Sequence, residues 1–285
     1  MYKIIVTGID SSEFSNAAVI EASNWIRRHG GKLILVHGVY FDEEEFSNAP
    51  RQLEKRVELG KTICNQLKDS VVSEFGIEVE AFVSEGEPPE VIKNTASRHN
   101  ADLIVMGTYG RSRLKKMFMG SVTSGVIVNA PCDVLVVKKP CRECIGVYKS
   151  ILLPFDGSEF SRNALNRLCT LAKIDRTDIT ALYVIPRYEE MIGFLKTKSI
   201  RESLFHEAQK ITESAMSLAS EHGVTIETMI KEGNAGDRII ETASELKNDL
   251  IVMGTYGWRG LDKAMMGSTT ERVLMHASCP ILVVR

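Results

Sequence analysis

The residues best suited to chemistry form a glycine-spaced stretch that occurs twice, Gly107-Thr108-Tyr109-Gly110-Arg111 through Gly120-Ser121 and Gly254-Thr255-Tyr256-Gly257 through Gly267-Ser268. Each copy follows an apolar run, Leu103 to Met106 or Leu250 to Met253, and precedes a segment able to be helical. A loop of this kind aims backbone N–H groups and the positive end of a helix at an anion, and glycine lets the backbone come close to it. The chemistry expected is the cradling of phosphate. A carboxylate stands in a matching turn near the start of each half: Asp10 before Ser11-Ser12-Glu13-Phe14-Ser15, and Asp156 before Gly157-Ser158-Glu159-Phe160-Ser161. Such an acid can accept hydrogen bonds from a base or ribose, or serve as a helix-start carboxylate.

The elements that must position these groups repeat with them. In the first half Ile4–Thr7 reads as a strand buried on both faces, and Phe14, Ala18, Ala22, Trp25 and Ile26 form one helical stripe that Gly30-Gly31 ends. Further strands are expected at 33–36, 79–83, 103–106 and 134–137, with helices over about 52–74, from Pro89, and over 121–129. The acidic run Asp42-Glu43-Glu44-Glu45 reads as a solvated loop. The second half repeats the order, with strands near 151–153, 179–184, 225–230, 250–253 and 281–284 and a matching stripe of Phe160, Ala164, Leu168, Leu171 and Ala172. Alternation of this kind predicts an α/β fold with a doubly wound parallel sheet in each half. The expected domains are 1–139 and 150–285, with 140–149, which contains Pro140 and Gly146, as linker. If the first and fourth strands are neighbours, the Asp turn and the glycine loop open on one crevice, where a nucleotide would satisfy both.

Composition narrows the classes. The 285 residues carry 35 basic and 37 acidic side chains, so neither a nucleic-acid nor an anionic-membrane surface is expected. No stretch reaches the roughly 18 apolar residues of a membrane span, and a strand-like run begins at once, so the chain is expected in the cytoplasm. Six cysteines make no disulfide framework. Cys132 and Cys279 sit at matching places and read as packing, while the lone Cys141-x-x-Cys144 lacks the second pair a zinc site needs. Gly60-Lys61-Thr62 resembles the end of a P-loop but lies in a helical segment with Lys55 where the leading glycine belongs. No G-x-G-x-x-G follows a first strand, and no H-E-x-x-H or G-x-S-x-G occurs, so no catalytic apparatus is expected.

The pattern G-x2-G-x9-G-S, met at Gly107, Gly110, Gly120, Ser121 and again at Gly254, Gly257, Gly267, Ser268, resembles the nucleotide signature of the universal stress proteins. Leu153-Pro154-Phe155-Asp156-Gly157-Ser158 resembles that family's first-strand turn, and Ala130-Pro131-Cys132-Asp133-Val134 and Cys279-Pro280-Ile281-Leu282 resemble the approach to its final strand. The likeness covers both halves, as in a tandem member. It implies five-stranded parallel sheets in the order 3-2-1-4-5, an adenine-nucleotide alpha hydrolase-like fold, binding ATP or AMP, with Mg²⁺ accompanying ATP. By that resemblance Asp10, Asp156 and Pro154 hold the adenosine side, and Gly38 and Val184, just past the second strand, meet adenine. Gly107, Gly110, Arg111, Gly254 and Gly257 approach ribose and phosphate, and Gly120, Ser121, Val122, Gly267, Ser268 and Thr269 bind the phosphate tail. It further implies an internal pseudo-dimer of the halves, with pairing between chains open. The first half departs from the pattern at Gly8, Ser11 and Gly38, where the second has Pro154, Gly157 and Val184, while Arg111-Ser112 is closer to the family than Trp258-Arg259 of the second; both sites are expected to bind, the second being the safer expectation. The expected role is a nucleotide-dependent stress-response module with at most slow ATP hydrolysis. A nucleotide-independent scaffold and an adenylating or ATP-hydrolysing enzyme of the same architecture are the alternatives.

Overall fold

A computed structural model describes residues 2–40, 50–108, 119–138, 146–186, 198–255 and 266–285. Gly110, Arg111, Gly257, the acidic run 42–45 and the Cys141/Cys144 pair lie outside the described residues. The chain divides into two units, Met1–Val147 and Tyr148–Arg285.

The first unit runs β1 (Ile4–Gly8), α1 (Glu13–His29), β2 (Lys32–Val39), α2 (Pro50–Phe75), β3 (Glu78–Glu85), α3 (Pro88–Arg98), β4 (Leu103–Gly107), α4 (Ser121–Ile127) and β5 (Asp133–Val137). The second runs β6 (Ser150–Pro154), α5 (Glu159–Ala172), β7 (Asp178–Ile185), α6 (Lys198–Glu221), β8 (Glu227–Glu232), α7 (Ala235–Glu245), β9 (Leu250–Gly254), α8 (Ser268–His276) and β10 (Ile281–Val284). Every strand pair within a unit is parallel, in the order β3-β2-β1-β4-β5 and, equivalently, β8-β7-β6-β9-β10. The expected fold is thus observed in both halves.

Strands β4, β5 and β9 are buried at every position, which is why they read as continuous apolar runs rather than as alternation. In α1 the predicted stripe packs inward: Ala18, Ala22, Trp25 and Ile26 are buried. Ser12 begins that helix by accepting from the Ser15 backbone N–H, and Ser158 does the same from Ser161 in α5. Gly60-Lys61-Thr62 falls inside α2, so no P-loop forms. A Cβ on Gly60 would stand 2.9 Å from His37 Cδ2, which makes it a glycine of helix-on-sheet packing.

Two expectations need correction. Gly38 is not past its strand but inside β2, because pairing with β3 continues after the apolar run stops, with Gly38 opposite Ser84; Val184 likewise lies inside β7, opposite Lys231, as the expected strand 179–184 already required. Strand β8 spans Glu227–Glu232 rather than 225–230, since buried Ile226 belongs to the approach and not to the ladder.

Candidate functional site

In each unit the order of strands reverses beside the first strand, and the registers set the carboxyl ends of the first and fourth strands side by side. Strand β1 pairs with β2 on one side and β4 on the other, with Thr7 opposite Val105; β6 likewise lies between β7 and β9, with Ile151 opposite Leu250. The turn carrying Asp10 and the segment leaving Gly107 therefore open at the carboxyl ends of adjacent strands, as do those of Asp156 and Gly254.

The Asp turns are built the same way twice. Asp10 Oδ1 accepts from the Ser12 backbone N–H at 3.0 Å, and Asp156 Oδ1 accepts from the Ser158 N–H at 3.0 Å and from its hydroxyl at 2.6 Å. Each acid thereby folds the turn that starts the next helix. The residue between differs in consequence: Gly157 adopts φ +78° without strain, whereas Ser11 holds φ +64°, a left-handed conformation unfavourable for a residue with a Cβ. Pro154 ends β6 where Gly8 ends β1.

The first glycine of each loop has a packing cause. A Cβ on Gly107 would lie 2.6 Å from the Phe14 carbonyl carbon and oxygen of α1, and one on Gly254 would lie 2.7 Å from Phe160 Cβ and 2.8 Å from its carbonyl carbon. The helix crosses the strand end so closely that only glycine fits. Gly38 is similarly occupied, since its Cβ would stand 2.8 Å from Pro88 Cα, whereas the second unit has Val184 there.

The glycines at the far end of each loop are different. Gly120 and Gly267 are the N-cap residues of α4 and α8, and neither helix has a side-chain cap. The first-turn N–H groups, those of Ser121, Val122, Ser268 and Thr269 among them, are therefore not satisfied by a capping side chain. Ser121 and Ser268 are exposed, while Val122 and Thr269 are half-buried. The loop necks are pinned. Gly120 N–H donates to Thr108 O at 3.0 Å, Thr123 Oγ1 to Gly107 O at 2.7 Å, and in the second unit Thr270 Oγ1 to Gly254 O at 3.3 Å. The buried Thr108 and Thr255 hydroxyls donate to Val137 and Val284 carbonyls at 3.1 and 3.0 Å, tying each loop to the last strand. Sequence reasoning missed these four threonines, although their exact repetition in register was a readable signal.

Among the described residues no group of three or more His, Cys, Asp or Glu could hold a metal, and no helix is long and apolar enough to cross a membrane. The thiol of Cys64 is buried and its pKa is pushed up from 9.0 to about 11 by desolvation; that of Cys169 is raised for the same reason, with Lys173 opposing.

The topology defines a tandem α/β protein with one switch point of strand order per unit. The universal stress protein family model matches residues 1–138 and 147–285, and the chain belongs to that family. A universal stress protein of Methanocaldococcus jannaschii is 38% identical over 142 residues, covering 49% of this chain and 83% of the relative. One from Bacillus subtilis is 31% identical over 148 residues, covering 49% of this chain and all of the relative. The crystal structure of a universal stress protein from Archaeoglobus fulgidus, 18% identical, superposes with a TM-score of 0.77 over 99% of this chain and 98% of that one, a likeness of fold.

Proposed function

We propose that each unit binds an adenine nucleotide, ATP or AMP, in its switch-point crevice, and that the protein is a nucleotide-dependent regulatory module in which the two halves act as a pseudo-dimer. The observation that carries this reading is the pair of helices α4 and α8, each with a glycine N-cap and no capping side chain, in units whose first and fourth strands are neighbours. An anion at such a helix start satisfies the orphan N–H groups and the dipole together. The phosphate tail is assigned to Gly120, Ser121, Val122, Gly267, Ser268 and Thr269. Gly110, Arg111 and Gly257 are assigned to ribose and phosphate, and Asp10, Gly38, Pro154, Asp156 and Val184 to the adenosine side. Gly107 and Gly254 contribute by letting the first helix close on the strand.

Mg²⁺ would arrive with the triphosphate, whose oxygens supply the ligands a dedicated protein cage otherwise would. Hydrolysis is slow on this reading. Asp10 and Asp156, the acids of the switch-point turns, are each bonded into their turn rather than held for a water. Turnover of ATP above about one per second, within the ordinary enzyme range, would contradict it.

The test is equilibrium titration of the full chain with a labelled ATP analogue and with AMP, beside mass spectrometry of the supernatant after denaturation. Saturable binding that Gly120→Trp removes from the first unit and Gly267→Trp from the second is the expected result. Absence of saturable binding and of co-purified nucleotide would leave a nucleotide-independent scaffold.

A further inference from the structure

The two units build the contact between their last two helices from opposite sides. In the first, Pro89 of α3 fills the groove and Gly125 of α4 receives it: a Cβ on Gly125 would stand 3.0 Å from Pro89 Cβ and Cγ. In the second the roles are exchanged. Gly236 of α7 is bare and Arg272 of α8 fills the groove, so that a Cβ on Gly236 would meet Arg272 Cδ at 2.7 Å and Cγ at 3.1 Å. Packing is conserved by the exchange, but charge is not. The second unit carries a guanidinium where the first carries none.

That guanidinium lies at the carboxyl edge of the sheet. Gly236 and Asp237 belong to the first turn of α7, directly after β8, and Arg272 Nε donates to Asp237 Oδ1 at 2.7 Å. Arg272 follows Ser268 by four residues and so shares its face of α8, and helical side chains lean toward the helix N-terminus. That spacing directs its head toward the uncapped turn, and the carboxylate that holds it is one it can leave: the side chains of the pair are 49% and 43% exposed, where an ion pair contributes little.

We propose that Arg272 is a specificity-determining residue of the second unit, favouring a nucleotide with a phosphate chain over a monophosphate, and that the first unit, with Gly125, lacks this preference. The proposal rests on the adenine-nucleotide reading of the crevice. A single phosphate is met by the first-turn N–H groups of α8, whereas further phosphates extend beyond them and need a cation. A guanidinium is suited to that task because its fork matches phosphate oxygens. Asp237 holds the arginine in the absence of ligand and competes with the incoming phosphate.

The experiment is calorimetric titration of the full chain with ATP and with AMP in a Gly120→Trp background, so that the second site is read alone. Arg272→Met keeps the stem that packs on Gly236 and removes the charge. It should lower the ATP-to-AMP affinity ratio about tenfold while AMP affinity stays within about twofold. Asp237→Asn should move the ratio the other way, because it releases the guanidinium; a purely structural role for the pair would not give opposite signs. The double exchange Pro89→Gly/Gly125→Arg, read in a Gly267→Trp background, should raise the ratio at the first site. An unchanged ratio in Arg272→Met, or both single variants shifting it in one direction, overturns the assignment and leaves the nucleotide reading standing. Failure of the native chain to bind either nucleotide overturns both.

Discussion

Replacing Gly107 by alanine separates a packing glycine from a ligand glycine. The added Cβ would lie 2.6 Å from the carbonyl carbon and oxygen of Phe14 and 2.8 Å from its Cβ, contacts that a rotamer change cannot relieve because two of the three atoms are backbone. The second residue of α1 must therefore move off the end of β4. Overpacking of this kind costs about 1–3 kcal/mol. Because Gly107 does not hold a left-handed φ, alanine also gains about 0.4–1 kcal/mol from a less flexible unfolded chain. The balance is a loss of about 1–2 kcal/mol from the first unit. With a urea m-value of about 2 kcal/mol per molar, the midpoint should fall by about 0.5–1 M. Trp25, buried in α1, reports this transition by fluorescence once Trp258→Phe silences the other tryptophan. Gly8→Ala is the control, since its closest clash, 2.6 Å, is with the terminal Cδ1 of Ile92, which can rotate away. A Gly107→Ala midpoint equal to or above that of the parent would refute the packing account.

Two further outcomes follow from the geometry. Ser11→Gly should stabilise the first unit by up to about 1 kcal/mol, because it removes the left-handed strain at φ +64° that the second unit avoids with Gly157; thermal melting of the variant checks it. Cys64, whose thiol is raised from 9.0 to about 11, should resist alkylation at pH 8 in the folded chain and react on unfolding. A raised folded pKa means the unfolded chain loses its proton first. The contribution of Cys64 to stability is thus complete below about pH 9 and is lost as pH rises toward 11, and Cys64→Ala should flatten that part of the urea midpoint profile.

Much of this architecture was legible because double burial leaves a plain mark. The runs 103–106 and 250–253 are apolar at every position and are strands fully covered on both faces. What composition could not mark was pairing beyond burial. Strand β2 continues through His37, Gly38 and Val39, and β3 begins at Glu78, because backbone hydrogen bonds hold these residues whatever their side chains. The same limit applies within the site. Gly107, Gly110 and Gly120 look alike in a motif, yet the position of Phe14 against Gly107 depends on how α1 crosses β4, which no local pattern encodes. Asp10 and Asp156 were readable both as ligands of adenosine and as helix-start carboxylates, and their bonds to Ser12 and Ser158 give the second role a definite geometry.

The tied necks of the glycine loops bear on how such a site can diversify. Thr108 and Gly120 are joined backbone to backbone, and Thr123 clamps Gly107 from the first turn of α4, so the described chain is fastened to itself on either side of the motif's middle. Doubling the length of an insert between fixed ends adds only about 0.6 kcal/mol of closure entropy. Sequence can therefore be exchanged, shortened or extended between Thr108 and Gly120 while the sheet beneath keeps its register, making this stretch a natural cassette for grafting new sequence onto an unaltered frame.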